Sequence, residues 1–255
     1  MNSTLMLHCG GKTATLEEIK AVPVPQETDT YKPLLHYDLA VNTMRIGEEM
    51  MALRGFKVEK AAFGLSNEGR RMFGLVSFKN GVEGMGLAVG FRNSYDKSMS
   101  AGFAIGGRVF VCDNLALAGE LVVMRRHTGG IIEELRDKLV LTFHKAHQTW
   151  DSLLEDRRKM QELELSDDRA YEIVGLAYGR KLIGPRQFIR VGWEWRRAPR
   201  HEEFKDRNLW SLYNGFTEVY KGLPIHEVMD RHIKLHKFAE ELIGSGVSKE
   251  IASAN

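Results

Sequence analysis

Two basic segments carry residue types that bind anions. The first, residues 125–130, places Arg125, Arg126 and His127 before Thr-Gly-Gly and a predicted helix that begins at Ile131. Free N–H groups at a helix start attract anions, and glycines let a phosphate approach the backbone closely. The Lys-Ser/Thr pair of a P-loop is missing. The segment is therefore either a phosphate site or an ordinary glycine-containing cap with solvated arginines.

The second basic segment, residues 180–200, mixes cations with aromatic rings. It holds seven basic residues and one acid, Glu194, with Phe188, Trp193 and Trp195 between them. Cations that follow phosphates and rings that stack on bases are typical of single-strand binding. The alternation over residues 188–195 favours a late strand, in which Trp193 and Trp195 share one face. The alternative is therefore that both tryptophans are core and the arginines are simply solvated.

A polar turn is predicted at residues 92–97, between two strands, and we expect it to contact sugar or base. Together with the two basic segments it supplies the expected nucleic-acid-binding residues. These are Arg92, Asn93, Tyr95, Lys97, Arg125, Arg126, His127, Arg190, Arg196, Arg197 and Arg200.

Catalytic and metal signatures are weak. His144 and His147 lie three residues apart, and His232 and His236 four apart, so each pair shares one helical face. Neither pair belongs to a His-Glu-x-x-His motif, and metal binding by them stays open. Because no Gly-x-Ser-x-Gly elbow or dinucleotide fingerprint occurs, the sequence favours a non-catalytic protein with no cofactor, no catalytic residue and no metal ligand. The remaining alternative is an enzyme that uses histidines or clustered carboxylates.

Composition limits both the size of any basic surface and the cellular location that we expect. The chain has 255 residues and a net charge of +2, so a nucleic-acid role must rest on a local patch. Two distant cysteines do not make a disulfide framework, which favours a reducing, cytoplasmic location. No apolar run approaches the roughly 20 residues that span a bilayer, and no secretory signal is evident. We expect no membrane partner.

Periodicity predicts an α+β fold in which an antiparallel β-meander packs against a long helix and further C-terminal helices. Residues 1–33 are predicted to be an extended arm, residues 34–243 one domain, and residues 244–255 a flexible tail. Within the arm, Thr15 and Glu18 fit a capping box for a short helical turn at residues 15–20. Short strands with tight turns fill residues 56–124, and helices are expected near residues 34–54, 131–160, 167–183, 206–221 and 224–243. The many strand glycines indicate either bulges and curvature or a surface kept bare for a ligand.

Four stretches, in this order and spacing, resemble the phage/plasmid-like family of domain-of-unknown-function proteins (family 932). The likeness covers about residues 20–222, and Gly215 departs from it where a small alanine is expected. The stretches are residues 33–36 (Pro-Leu-Leu-His), 90–98 (Gly-Phe-Arg-Asn-Ser-Tyr-Asp-Lys-Ser), 108–115 (Arg-Val-Phe-Val-Cys-Asp-Asn-Leu) with Gly119, Glu120 and residues 126–128, and 209–214 (Leu-Trp-Ser-Leu-Tyr-Asn) with Thr217 and Glu218.

The resemblance implies a protein of a phage, plasmid or other mobile element. Combined with the basic segments, it predicts a non-catalytic, self-associating DNA-binding protein that acts on single strands in annealing, recombination or protection. The alternative is a phage protein-interaction module that inhibits or redirects a host protein, with the glycine-rich sheet as its docking face.

Overall fold

The middle of the chain folds into an antiparallel sheet whose strands pair in chain order. The computed structural model describes residues 11–29, 31–110, 114–118, 122–123, 131–197, 199 and 201–244. In these ranges the strands are β1 (Lys12–Ala14), β2 (Lys57–Ser66), β3 (Arg71–Lys79), β4 (Met85–Ser94), β5 (Gly102–Val109), β6 (Asn114–Leu117) and β7 (Val122–Val123). The sheet runs from β1 to β6, and β7 pairs with β5. The predicted meander is confirmed.

Helices cover both faces of this sheet. They are α1 (Leu16–Lys20), α2 (His36–Ala52), α3 (Ile131–Glu162), α4 (Asp167–Gly179), α5 (Pro185–Arg196), α6 (Leu209–Tyr220) and α7 (Ile225–Gly244), with a 3-10 turn at Glu202–Phe204. On one face, Phe143 of α3 packs edge-on against Phe78 of β3 at 5.9 Å. On the other, Phe73 of β3 lines a small cavity with Val228 and His232 of α7. The predicted α+β class, with a long helix on the meander, is confirmed.

The strand glycines make room for neighbouring parts of the same chain. A methyl group added at Gly74 would lie 2.1 Å from the Phe91 ring, and one at Gly106 would lie 2.1 Å from the carbonyl oxygen of Ala116. Both distances are far below van der Waals contact, so close packing inside the sheet requires these glycines. The hypothesis of a glycine surface kept bare for a ligand is wrong at Gly106, where β6 fills the space.

Part of the segment predicted as an extended arm joins the sheet. Strand β1 pairs with β2, placing Thr13 opposite Gly64. Helix α1 follows at once because Thr15 caps it: the Thr15 hydroxyl accepts from the Glu18 N–H, and the Glu18 carboxylate accepts from the Thr15 N–H. This is the capping box that the sequence predicts.

Two local predictions are wrong. Residues 188–195 form helix α5 instead of a strand, because Pro185 occupies its first position and the Gly184 N–H donates to the Gln187 side chain at 2.9 Å. Arg92 and Asn93 lie inside strand β4 and are buried, so they are not part of an exposed turn. Asn93 and Ser94 pair with Met72 and Arg71 of β3, so the strand continues to Ser94.

Candidate nucleic-acid interface

Helix α5 has one buried side and one exposed side. Val191 and Trp195, four residues apart, are buried against the domain. Trp193 lies two residues before Trp195 and therefore points to the other side of the helix. The Trp193 side chain is 59% exposed, whereas Trp195 is 4% exposed. An exposed indole on a well-packed helix is unusual because tryptophan is normally among the more buried residues.

Arginines surround the exposed indole. At about 100° per residue, Arg186, Arg190 and Arg196 share the Trp193 side of α5 with the exposed Ile189. None of these three arginines forms an ion pair with a carboxylate of the described residues. The Arg196 Nε instead donates to the Gly192 carbonyl at 3.3 Å, and the Arg190 guanidinium lies beside Gly222. Their positive charge is available to an external anion.

The preceding helix adds a further ring. Tyr178 of α4 and Phe188 of α5 meet edge-on with ring centroids 5.6 Å apart, and both side chains are exposed. We call the combined area the α5 surface. It consists of Arg186, Ile189, Arg190, Trp193 and Arg196, and its margin is formed by Tyr178 and Phe188, since Phe188 lies about 140° around the helix from Trp193. Exposed rings next to cations are the combination that binds bases and phosphates together.

A shallow cleft of about 70 Å³ lies on the other side of α5, next to α6, Arg197 and residues 204–207. Its cations are already neutralised: Arg197 pairs with Glu194, Lys205 with Glu202, and Arg207 with Asp167. The Arg207 guanidinium also stacks on the Trp195 ring at 3.8 Å. Hydrogen bonds from Arg207 and from the Trp195 N–H lower the pKa of Asp167, which keeps this network charged. The cleft therefore offers less free positive charge than the α5 surface.

The predicted contacts in and after β4 hold the core instead. The Arg92 guanidinium donates to the Asp230 carboxylate at 2.6 Å. The Asn93 amide donates to the Leu34 carbonyl at 2.7 Å and lies 3.0 Å from Nδ1 of His36. The Tyr95 hydroxyl accepts from the His36 backbone N–H at 2.9 Å, and the two rings stack 3.8 Å apart.

This buried network controls a titratable group. Burial lowers the pKa of His36 to about 4, although a hydrogen bond to the Gly69 carbonyl opposes the shift. Of the four residues predicted on the polar turn at 92–97, Lys97 is the exposed one, and its ammonium lies 4.5 Å from the centre of the Tyr31 ring. Arg92, Asn93 and Tyr95 are thus built into the fold, and Lys97 stays on the surface.

Other predicted residues divide between the α5 surface, the cleft and parts of the chain that the structure leaves out. Arg190 and Arg196 lie on the α5 surface, and Arg197 borders the cleft. Arg125, Arg126, His127 and Arg200 lie outside the described residues, so the phosphate site before Ile131 stays a prediction. Tyr178, Arg186 and Ile189 are missing from the sequence prediction, although a helical reading of residues 185–196 would have placed the latter two beside Trp193.

In neither histidine pair do the two imidazoles face a common site. His144 and His147 are exposed on α3, where His147 lies 3.3 Å from Asp151. His232 and His236 are both buried on α7. The His232 ring meets Tyr220 edge-on at 5.3 Å, and burial lowers its pKa to about 3. His236 instead contacts α3 through Asp156.

Comparisons with known proteins give one finding. A family model described as Domain of unknown function (DUF932) matches residues 40–237. No curated protein and no solved structure matches the chain. Within the described residues, no helix is both long and apolar enough to span a bilayer.

Proposed function

The chain belongs to the DUF932 family, and we propose that this member binds single-stranded nucleic acid through the α5 surface. The observation that carries the proposal is the exposed Trp193 indole among Arg186, Arg190 and Arg196, whose charges meet no carboxylate in the described part of the chain. Arginines attract the phosphates, and the rings of an unpaired strand stack on exposed aromatic side chains.

The layout of the α5 surface suits a flexible strand better than a duplex. From Arg186 to Arg196 the helix rises about 15 Å, so its cations contact a few consecutive phosphates. Stacked bases need splayed, unpaired nucleotides, which a duplex does not present. Contacts to backbone and ring faces are sequence-independent. This mode of binding suits annealing, recombination or protection of single strands of a mobile element, without a chemical step.

The test is binding of a fluorescently labelled single-stranded DNA oligonucleotide, measured by anisotropy over a range of salt concentrations. We expect affinity to fall as salt rises, and the variant Arg186→Ala/Arg190→Ala/Arg196→Ala to lower the log–log salt slope by about 2, at roughly 0.7 per lost phosphate contact. Binding that ignores salt, or a triple variant that binds like the wild type, would overturn the proposal.

A matched control removes the same charge elsewhere. Arg45, Arg70 and Arg158 are about half exposed, lie on α2, the β2–β3 turn and α3, and each pairs with a glutamate. The variant Arg45→Ala/Arg70→Ala/Arg158→Ala should keep most of the oligonucleotide affinity. Equal losses in the two triple variants would show that net charge, not the α5 surface, governs binding.

Intrinsic fluorescence gives a second, local readout. The chain has four tryptophans, and Trp150, Trp195 and Trp210 are buried while Trp193 is exposed. Quenching of the emission by added oligonucleotide therefore reports mainly on Trp193. A duplex of the same sequence should quench less, and RNA and DNA strands can be compared in the same assay.

A second candidate function is favoured by the apolar part of this region. Leu176 of α4 and Ile189 of α5 are 45% and 51% exposed, and Tyr178 is exposed as well. Exposed apolar side chains of this kind also suit a protein partner or self-association. A stoichiometric complex that survives nuclease treatment and is lost in Leu176→Ser/Ile189→Ser would favour this function. Mass photometry with and without oligonucleotide separates ring or filament assembly from a fixed monomer.

A further inference from the structure

One histidine and two carboxylates meet between α3 and α7, on helices that do not contribute to the α5 surface. The His236 Nε2 lies 3.3 Å from the Asp156 Oδ2 and 4.0 Å from the Glu240 Oε1. One ligand atom from each residue lies within 4.8 Å of the other two. Asp156 comes from α3, whereas His236 and Glu240 lie one turn apart on α7, so tertiary packing creates the cluster.

We propose that Asp156, His236 and Glu240 bind a divalent transition-metal ion, with Zn²⁺ as the best match. Zinc takes imidazole nitrogen and carboxylate oxygen at about 2.0–2.2 Å, which in a tetrahedron separates two ligand atoms by roughly 3.3–3.5 Å. The His236–Asp156 distance already has this value. The Glu240 carboxylate must move by roughly half an ångström or more to reach ligand spacing, and its side chain is 51% exposed and can adjust.

The imidazole is held in the orientation that a metal ligand needs. His236 is 1% exposed, and its Nδ1 lies 3.4 Å from the Tyr213 hydroxyl. The Tyr213 ring is held in turn by stacking on Trp210, with ring centroids 5.7 Å apart. With Nε2 on the metal, Nδ1 carries the proton and donates to the Tyr213 oxygen. Metal-bound histidines usually have such a partner for the second nitrogen.

The charge of the cluster and its exposure to solvent also suit a metal ion. Two carboxylates carry a charge of −2, which a divalent cation neutralises. The graded exposure of Asp156 at 16% and Glu240 at 51% opens the cluster to solvent on one side while His236 anchors it in the core. Three protein ligands leave a fourth position for water or another ligand, as in sites that do more than stabilise a fold.

The experiment is isothermal titration of the chelator-treated full-length protein with ZnCl₂ at pH 7.5. We expect one equivalent to bind. Glu240→Gln and Asp156→Asn should each weaken the affinity about tenfold or more, because each removes one of the two carboxylate charges among the three ligands. Glu240 is half exposed, so its variant should fold like the wild type. Thermal melting of the metal-free proteins checks this point.

A control pair lies on the same helix α3. The His147 Nδ1 is 3.3 Å from the Asp151 Oδ2, which matches the His236–Asp156 distance, but the pair is exposed and belongs to no three-ligand cluster among the described residues. His147→Ala should leave zinc binding unchanged. Co²⁺ should give the visible absorption of a four-coordinate nitrogen and oxygen site, and Glu240→Gln should alter it.

Three results would overturn the proposal. They are the absence of zinc binding, zinc affinity that is unchanged in both Glu240→Gln and Asp156→Asn, and Mg²⁺ or Ca²⁺ binding as tight as Zn²⁺, which points to carboxylates alone. Oligonucleotide binding by the same variants is measured in parallel. Because α5 is untouched in them, a failure of the zinc site and a failure of the nucleic-acid interface are distinguishable.

Discussion

The end of strand β4 and the exposed side of helix α5 carry similar side chains and use them in opposite ways. At β4, Arg92 and Asn93 are buried and bonded to Asp230 and Leu34. On α5, Arg190 and Arg196 project to solvent around an exposed ring and meet no described carboxylate. In the first region polar groups connect distant parts of the chain. In the second they remain available to a partner.

The difference shows that residue type alone does not identify a binding surface. An arginine contributes to the fold when a carboxylate meets it in a buried place, and to recognition when its charge stays exposed and unpaired. Changes at β4 should therefore alter stability and spare binding, whereas changes on α5 should alter binding and spare stability. Four measurements test this contrast.

Acid should produce the largest effect, in the buried network. The pKa of His36 is lowered to about 4 in the folded protein, below the unfolded value of about 6.5, so the unfolded state takes up the proton first. Stability from this group is complete above about pH 6.5 and falls as the pH approaches 4. At pH 4.5 the free energy of unfolding is about 2–3 kcal/mol lower than near neutral pH because of this group. Urea unfolding at several pH values measures it.

The variant His36→Gln isolates this contribution. Its unfolding free energy should change less steeply between pH 6.5 and 4.5 than that of the wild type. A residual slope is expected from His232, whose pKa is lowered to about 3 by burial. An identical slope in His36→Gln and wild type would contradict the assignment to His36.

Arg92→Ala should have the second-largest effect, a loss of about 2 kcal/mol in unfolding free energy. The change removes a buried charge partner, but Asp230 is half exposed and regains water, so the loss stays below that of a fully buried pair. Oligonucleotide affinity should remain as in the wild type. Arg92→Met keeps the aliphatic stem and separates lost packing from the lost ion pair. A weaker oligonucleotide complex would place Arg92 in the interface after all.

Trp193→Ala should weaken single-strand binding about tenfold, because stacking of a base on an aromatic ring contributes about 1–3 kcal/mol. The melting temperature should hardly move, since the ring is mostly solvated. Trp193→Phe keeps a stacking surface and should recover much of the affinity. A lower melting temperature with unchanged binding would reverse the assigned role.

The smallest expected effect is a difference in salt slope between variants of two adjacent arginines. Arg196→Ala should reduce the salt slope of binding by about 0.7, the share of one phosphate contact. Arg197→Ala should leave the slope unchanged, because Arg197 is already paired with Glu194. Anisotropy titrations at matched protein concentration give both values. Equal slopes for the two variants would remove the distinction between paired and unpaired cations.

Local sequence signals predict elements well and partners poorly. The apolar stripe after Ile131 predicts α3, and the Thr15–Glu18 capping box predicts α1, because both signals lie within a few residues. In α5, the alternation of residues 188–195 fits a strand, and Gly184 and Gln187 carry the deciding helix-start signal. The Trp193 side of α5 follows only once that helix is assigned.

Long-range pairs cannot be read from one sequence. Asp230 is 138 residues from Arg92, and Asp156 is 80 residues from His236. Their pairing depends on how α3 and α7 pack against the sheet, which no local pattern encodes. For this reason the sequence predicts exposed contacts at Arg92 and Asn93 and offers only histidine pairs where the structure forms a three-residue cluster.

The chain-order pairing of β2 to β6 also affects how the protein folds while it is being translated. Each strand pairs with the strand that precedes it in the chain, so hairpins form early and at low loop-closure cost. Yet β3, β4 and β5 are buried on both faces, and their covers α3, α6 and α7 are translated later. Helix α2 is translated first and packs on β3, but the parts of the sheet that α3, α6 and α7 cover stay exposed while more than a hundred further residues are translated, the interval in which a chaperone is most useful.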